Sequence, residues 1–82
     1  MSKVIKQDVS IGSNLKALRL RTGLSQDKVS ARLQVLGFST MSREIISQME
    51  LGRHNIQVSV LLALKDIYGV KSFDEFFENL SL

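Results

Sequence analysis

No cysteine, proline or tryptophan occurs in the 82 residues, and histidine occurs once, at His54. Without cysteine there is neither a disulfide framework nor a thiolate metal site. One histidine with no second ligand at useful spacing cannot close a metal site. No Ser–Asp or Cys partner stands near it to make a nucleophile, and no glycine-rich phosphate loop follows a strand. The sequence therefore argues against an enzyme and asks for no cofactor. No apolar run approaches the ~20 residues of a membrane-spanning helix, and no secretory pattern opens the chain. A cytoplasmic protein is the plain expectation these absences leave. There is no low-complexity tract and no internal repeat.

What is present suits one small domain: 44% of the residues are hydrophobic, enough for a single modest core. The net charge of +3 is unevenly spread. Residues 1–36 hold Lys3, Lys6, Lys16, Arg19, Arg21, Lys28 and Arg32 against Asp8 and Asp27, a surplus of five positive charges. Residues 59–82 hold Lys65 and Lys71 against Asp66, Asp74, Glu75 and Glu78, a surplus of two negative ones. Such polarity fits a molecule that turns one side to a polyanion, and equally fits a scattered, solvated surface.

Apolar residues recur at spacings of three and four, which predicts an all-α domain over residues 11–82 after a flexible arm at 1–10. Ile11, Leu15 and Leu18 mark a first helix, roughly 11–22, stopped at Gly23. Ser25 offers an N-cap for a second helix with Val29, Leu33 and Leu36 inward and Gly37 at its end. Ser42 caps a third, with Glu44 placed for the helix dipole, Ile46 and Met49 inward, and Gly52 closing it. Ser59 begins a fourth, with Leu61, Leu64, Ile67 and Tyr68 inward. Ser72 and Glu75 form the capping box of a fifth. Phe73, Phe76, Phe77, Leu80 and Leu82 exceed what one face of that helix must bury, so some should be core and some should form a dimer seam.

A short exposed helix that follows another across a turn is the helix-turn-helix arrangement. An α-helix fits the major groove and offers the side chains of its N-terminal part to base edges. Such a helix needs an apolar face, which Ile46 and Met49 supply. It needs short or forked hydrogen-bonding side chains, which Arg43, Glu44, Ser47 and Gln48 supply. It needs flanking phosphate donors, for which Ser42, Arg53, His54 and Asn55 are available.

Here the residues resemble a known family. "IGSNLKALRLRTGLSQDKVSARL" followed by "SREIISQMELGR" is similar to the lambda-repressor-like, or XRE-type, helix-turn-helix family. The family pattern has an Arg in helix one, then G-L-[ST]-Q, then I-x-x-[ILM]-E-x-G. Here these are Arg19, Gly23 through Gln26, and Ile46 through Gly52. The tail "LLALKDIYGVKSFDEFF" resembles the family's fourth and fifth helices, so the likeness spans roughly residues 11–80. It implies a five-helix fold and a sequence-specific DNA-binding regulator that works as a homodimer on an inverted repeat. It implies that Arg43, Glu44 and Gln48 read bases, and that Gln26 bonds a phosphate and braces Arg43. It implies that Ser25 and Ser42 clamp the backbone, and that the loop after Gly52 tracks phosphates through Arg53, Asn55 and backbone N–H groups. Glu50 would be structural, paired with Arg19.

Two points stay open in the sequence. Glu44 either accepts from a cytosine amino group or only favours the helix dipole. The segment "QVLGFSTM", residues 34–41, is roughly six residues longer than a standard helix-turn-helix connection. It is expected to extend helix two by a turn and to cap the core with Phe38, with Ile45 packing beneath it. A reading from a different class also stands: a helical protein-interaction module, antitoxin-like or adaptor, supported by the acidic, aromatic C-terminal end.

Overall fold

A computed structural model describes residues 3–80, so Leu82 and the first two residues of the expected arm lie outside it. The order is β1 (Val4–Ile5), α1 (Gly12–Thr22), α2 (Gln26–Val35), α3 (Arg43–Glu50), β2 (Ile56–Gln57) and α4 (Val58–Ile67). A 3-10 turn at Phe73–Phe76 follows. No helix among the described residues is long and apolar enough to cross a membrane.

Local chemistry sets the helix ends. Ser25 Oγ accepts from the Lys28 N–H at 3.1 Å and Ser42 Oγ from the Ile45 N–H at 3.2 Å, so each hydroxyl satisfies a donor with no partner inside its helix. At the other end of α2, Gly37 N–H donates to Gln34 and Phe38 N–H to Leu33, closing a Schellman cap with Gly37 at φ 104°. α3 closes in the same way, with Gly52 N–H on Met49 and Arg53 N–H on Gln48. The enclosed core runs through Leu15 and Leu18 of α1, Val29 and Leu33 of α2, Ile46 and Met49 of α3, and Val60, Leu61 and Leu64 of α4.

The expectation of five α-helices is corrected, among the described residues, to four α-helices and one 3-10 turn. Glu75 causes part of the difference. Its carboxylate accepts from the Lys71 N–H, one residue before the expected cap, and from Arg21 of α1 at 3.2 Å. Asn14 Nδ2 donates to the carbonyls of Phe76 and Glu78, tying the segment to α1, and Asn79 at φ 61° stops any further coiling. The aromatics separate sharply. Phe76 is fully buried, while Phe73, Phe77 and Leu80 are 37%, 41% and 37% exposed. Phe76 is therefore core and not available to a dimer seam.

The expectation of a chain without strands is also corrected. Val4 stands opposite Gln57 and Ile5 opposite Ile56 in a two-stranded antiparallel ladder, which Val58 N–H extends by donating to Lys3. Two residues per strand are too few to leave an alternating signal. The segment expected as a flexible arm is thus docked from Val4 onward.

The long α2–α3 connection folds back on itself. Gln34 Nε2 donates to the Met41 carbonyl at 2.7 Å, and Met41 N–H donates to Phe38. Met41 is buried and Phe38 half-buried against the core, as is Ile45. Leu36, expected in the buried stripe of α2, is 58% exposed, and its neighbour Val35 is 87% exposed. The Schellman cap turns the chain before Leu36 can cover the core.

This division of the aromatics yields a test. Phe76→Ala should lower the unfolding free energy by about 3–5 kcal/mol, and Phe77→Ala by less than about 1 kcal/mol. Urea denaturation followed by circular dichroism measures both, and similar losses would contradict the burial described.

Candidate nucleic-acid interface

Arg19 and Glu50 anchor α3 to α1 behind the candidate interface, and neither faces out. The Arg19 Nε donates to Glu50 Oε2 at 2.7 Å and its Nη2 to Oε1 at 3.0 Å, a two-pronged pair. The third guanidinium nitrogen, Nη1, donates to the Leu24 carbonyl at 3.0 Å. The two side chains are 9% and 5% exposed. The hydrogen bond to Glu50 raises the Arg19 pKa above its ordinary value despite burial. Burial raises the pKa of the Tyr68 hydroxyl too; the charge of Glu50 adds to this and that of Arg19 opposes it.

Gln26 joins this pair. Its Nε2 donates to Glu50 Oε1 at 3.0 Å, so the brace expected between Gln26 and Arg43 is corrected to one between Gln26 and Glu50. Carboxylate oxygens only accept, so the amide must turn its nitrogen inward. Asp27 is the residue that faces Arg43, at 3.8 Å between Oδ2 and Nη1. Both side chains are largely solvated, so this contact is weak. Lys16, Arg19, Ser25, Gln26, Asp27 and Arg43 line one open cleft of about 400 Å³ where α1, α2 and α3 meet.

The position of α3 follows from this anchoring. Ile46 and Met49 are buried, Ile45 is half-buried, and Glu50 is held by α1 and α2. Arg43, Glu44 and Gln48 are exposed on the opposite side, and Ser47 among them is half-buried. At 100° per residue, Arg43 and Gln48 flank the two edges of that face, with Glu44 and Ser47 between them. Arg43 lies on the α2 side.

Ser25 and Ser42 each accept one backbone hydrogen bond as caps, which leaves each hydroxyl hydrogen free to donate outward. Arg53, His54 and Asn55 are exposed. Of the backbone N–H groups expected to track phosphates after Gly52, that of Arg53 is committed to the Gln48 carbonyl, just as the Gly52 N–H is committed to that of Met49 at the end of α3. The His54 Nδ1 lies 2.6 Å from the Asn55 carbonyl, so that nitrogen carries the proton and donates.

Sequence reasoning does not single out Lys16 and Asp27 as cleft residues. The helical repeat could have found Lys16, one turn before Arg19. Neither does it single out Gln7, whose amide donates to the carbonyls of Met49 and His54. No local pattern marks it. Among the described residues no cluster of three or more histidine, cysteine or acidic side chains could hold a metal ion.

Comparison with known proteins places this geometry. Residues 10–76 match the family described as "Helix-turn-helix domain". An uncharacterized HTH-type transcriptional regulator, y4dJ, of Sinorhizobium fredii (strain NBRC 101917 / NGR234) is 38% identical over 60 residues. That alignment covers 73% of this chain and 70% of the relative. No solved structure gives a match.

Removing one partner of the central pair should leave a buried, uncompensated charge. Glu50→Ala is expected to cost about 3–5 kcal/mol of unfolding free energy. Chemical denaturation reads this directly, and a loss under about 1 kcal/mol would show that the pair does not hold α3 in place.

Proposed function

The chain belongs to this helix-turn-helix family, and we propose that it is a sequence-specific double-stranded DNA-binding transcriptional regulator that inserts α3 into the major groove as a homodimer. The observation that carries this reading is the outward face of α3. Its forked and short polar side chains are aimed away from the body by the buried Arg19–Glu50–Gln26 network.

Arg43 presents a fork that matches the acceptor edge of guanine, and Gln48 pairs with adenine. Glu44 accepts from a cytosine amino group and disfavours a phosphate in the wrong register. Ser47 offers a short hydroxyl to either. Phosphates on the α2 side are held by Ser25, Gln26 and Ser42, with Lys16 beside them. On the far side they are held by Arg53 and Asn55. Phosphate contacts set position and most of the affinity, and base contacts set sequence choice.

The two α3 helices of a dimer reach half-sites about one DNA turn apart in an inverted repeat. The exposed Phe77 and Leu80 supply the apolar seam, with Phe73 at its edge, where Lys65 lies 5.6 Å from the ring centre. The expected location is the cytoplasm, on the nucleoid.

The exposed apolar pair Val35 and Leu36 favours a second reading, a protein-interaction module. Salt separates the two. Duplex affinity should fall steeply between low and moderate salt, whereas an interaction module would bind duplex weakly at every salt.

Fluorescence anisotropy against a selected palindromic duplex and a scrambled one tests the roles. Arg43→Ala and Gln48→Ala should narrow the gap between the two duplexes, each removing about 1–3 kcal/mol of discrimination, while Arg53→Ala weakens both equally. A wild-type chain that prefers no selected sequence would overturn the reading.

A further inference from the structure

Gln7 lies in the segment before α1, yet it touches three separate parts of the molecule. Its Oε1 accepts from the Ile11 N–H at 3.0 Å, at the start of α1. Its Nε2 donates to the Met49 carbonyl at 3.1 Å, in the last turn of α3. The same nitrogen donates to the His54 carbonyl at 2.7 Å, in the loop that carries Arg53 and Asn55. One primary amide thus spends both hydrogens and its oxygen on three segments, a set no other uncharged side chain except asparagine offers.

The surroundings hold this amide in register. β1 pairs with β2 on one side of it, fixing both the strand before Gln7 and the strand after the loop. On the other side, the backbone of Gly12 lies against the end of α3, where any side chain would collide with the carbonyl oxygen of Glu50. The loop from Arg53 to Asn55 is therefore bounded by the Schellman cap of α3 at its start and by β2 at its end. Its middle carbonyl, that of His54, is held by Gln7 across 47 residues of sequence.

We propose that Gln7 is a positioning residue for DNA binding: it fixes the loop that presents Arg53 and Asn55 relative to the end of α3. This rests on the DNA-binding reading and names a determinant of that same site. Because Gln7 acts through the phosphate-facing loop, its loss weakens all sequences alike and does not alter their ranking.

The test compares wild type with Gln7→Ala and Gln7→Met, the latter retaining a stem of similar length without any N–H donor. Val70→Ala, a buried change in the segment after α4 at a residue assigned no DNA contact, is the control for stability loss alone. Anisotropy is measured against a selected and a scrambled duplex over a salt series, at a temperature where circular dichroism shows every variant folded. Expected for Gln7→Ala and Gln7→Met is affinity about ten-fold weaker for both duplexes, because the loop loses its hydrogen-bonded anchor. The salt slope should also fall by about one phosphate contact, while Val70→Ala keeps the wild-type affinity and slope. If wild type binds and both Gln7 variants match it in affinity and slope, the inference is overturned. Losses no greater than those of Val70→Ala overturn it as well. If the wild-type chain itself binds no duplex at any salt, the DNA-binding reading fails, and the inference falls with it.

Discussion

The setting of α3 hangs on one buried ion pair. Arg19 of α1 and Glu50 of α3 form two parallel hydrogen bonds; the remaining guanidinium nitrogen takes a carbonyl from the α1–α2 turn, and Gln26 of α2 completes the carboxylate. Four segments are thereby locked by groups that tolerate little variation in angle. A pair of this kind need not add net stability, since desolvating both charges offsets much of their attraction. What it contributes is orientation. Apolar packing alone would let α3 roll about its axis over Ile46 and Met49 at low cost, whereas a fork on a carboxylate permits one setting. The outward face of α3 is defined because its inward face is polar at one point.

The α2–α3 connection shows how extra length is accommodated without moving α3. Gly37 ends α2 by a Schellman cap, Gln34 reaches across to the Met41 carbonyl, and Met41 and Phe38 return apolar surface to the core. The spare residues are absorbed as a closed loop, and α3 still begins at a standard serine cap. The cost appears outside, where Val35 and Leu36 are left in solvent.

Those parts of the fold governed by neighbours in sequence are legible in the sequence alone. Ser25 and Ser42 announce helix starts, and Gly37 and Gly52 announce helix ends, because caps act over three to five residues. The apolar stripes of α1, α3 and α4 are equally plain. Arg19 and Glu50 can be linked only through the family pattern, since nothing local connects residues 31 apart. The two-residue strands, the 3-10 turn and the Gln7 contacts leave no such trace, because each depends on a partner distant in sequence. Gln26 misleads for a related reason: the family likeness sets it against Arg43, while its amide nitrogen reaches the buried Glu50, 24 residues away. The Ser72–Glu75 box is legible as a motif, but Arg21 competes for the same carboxylate.

The pairing of β1 with β2 has a consequence for how the molecule is assembled. Val4 and Ile5 precede α1, yet their ladder partners, Gln57 and Ile56, are synthesised only after α3 is complete. Closing so long a loop has an entropic cost that grows only logarithmically with its length, but the cost falls due before the short ladder returns anything. The two strands therefore have no reason to meet until the helices have already packed and shortened the distance between them. The strand made before α1 is among the last elements to find its place.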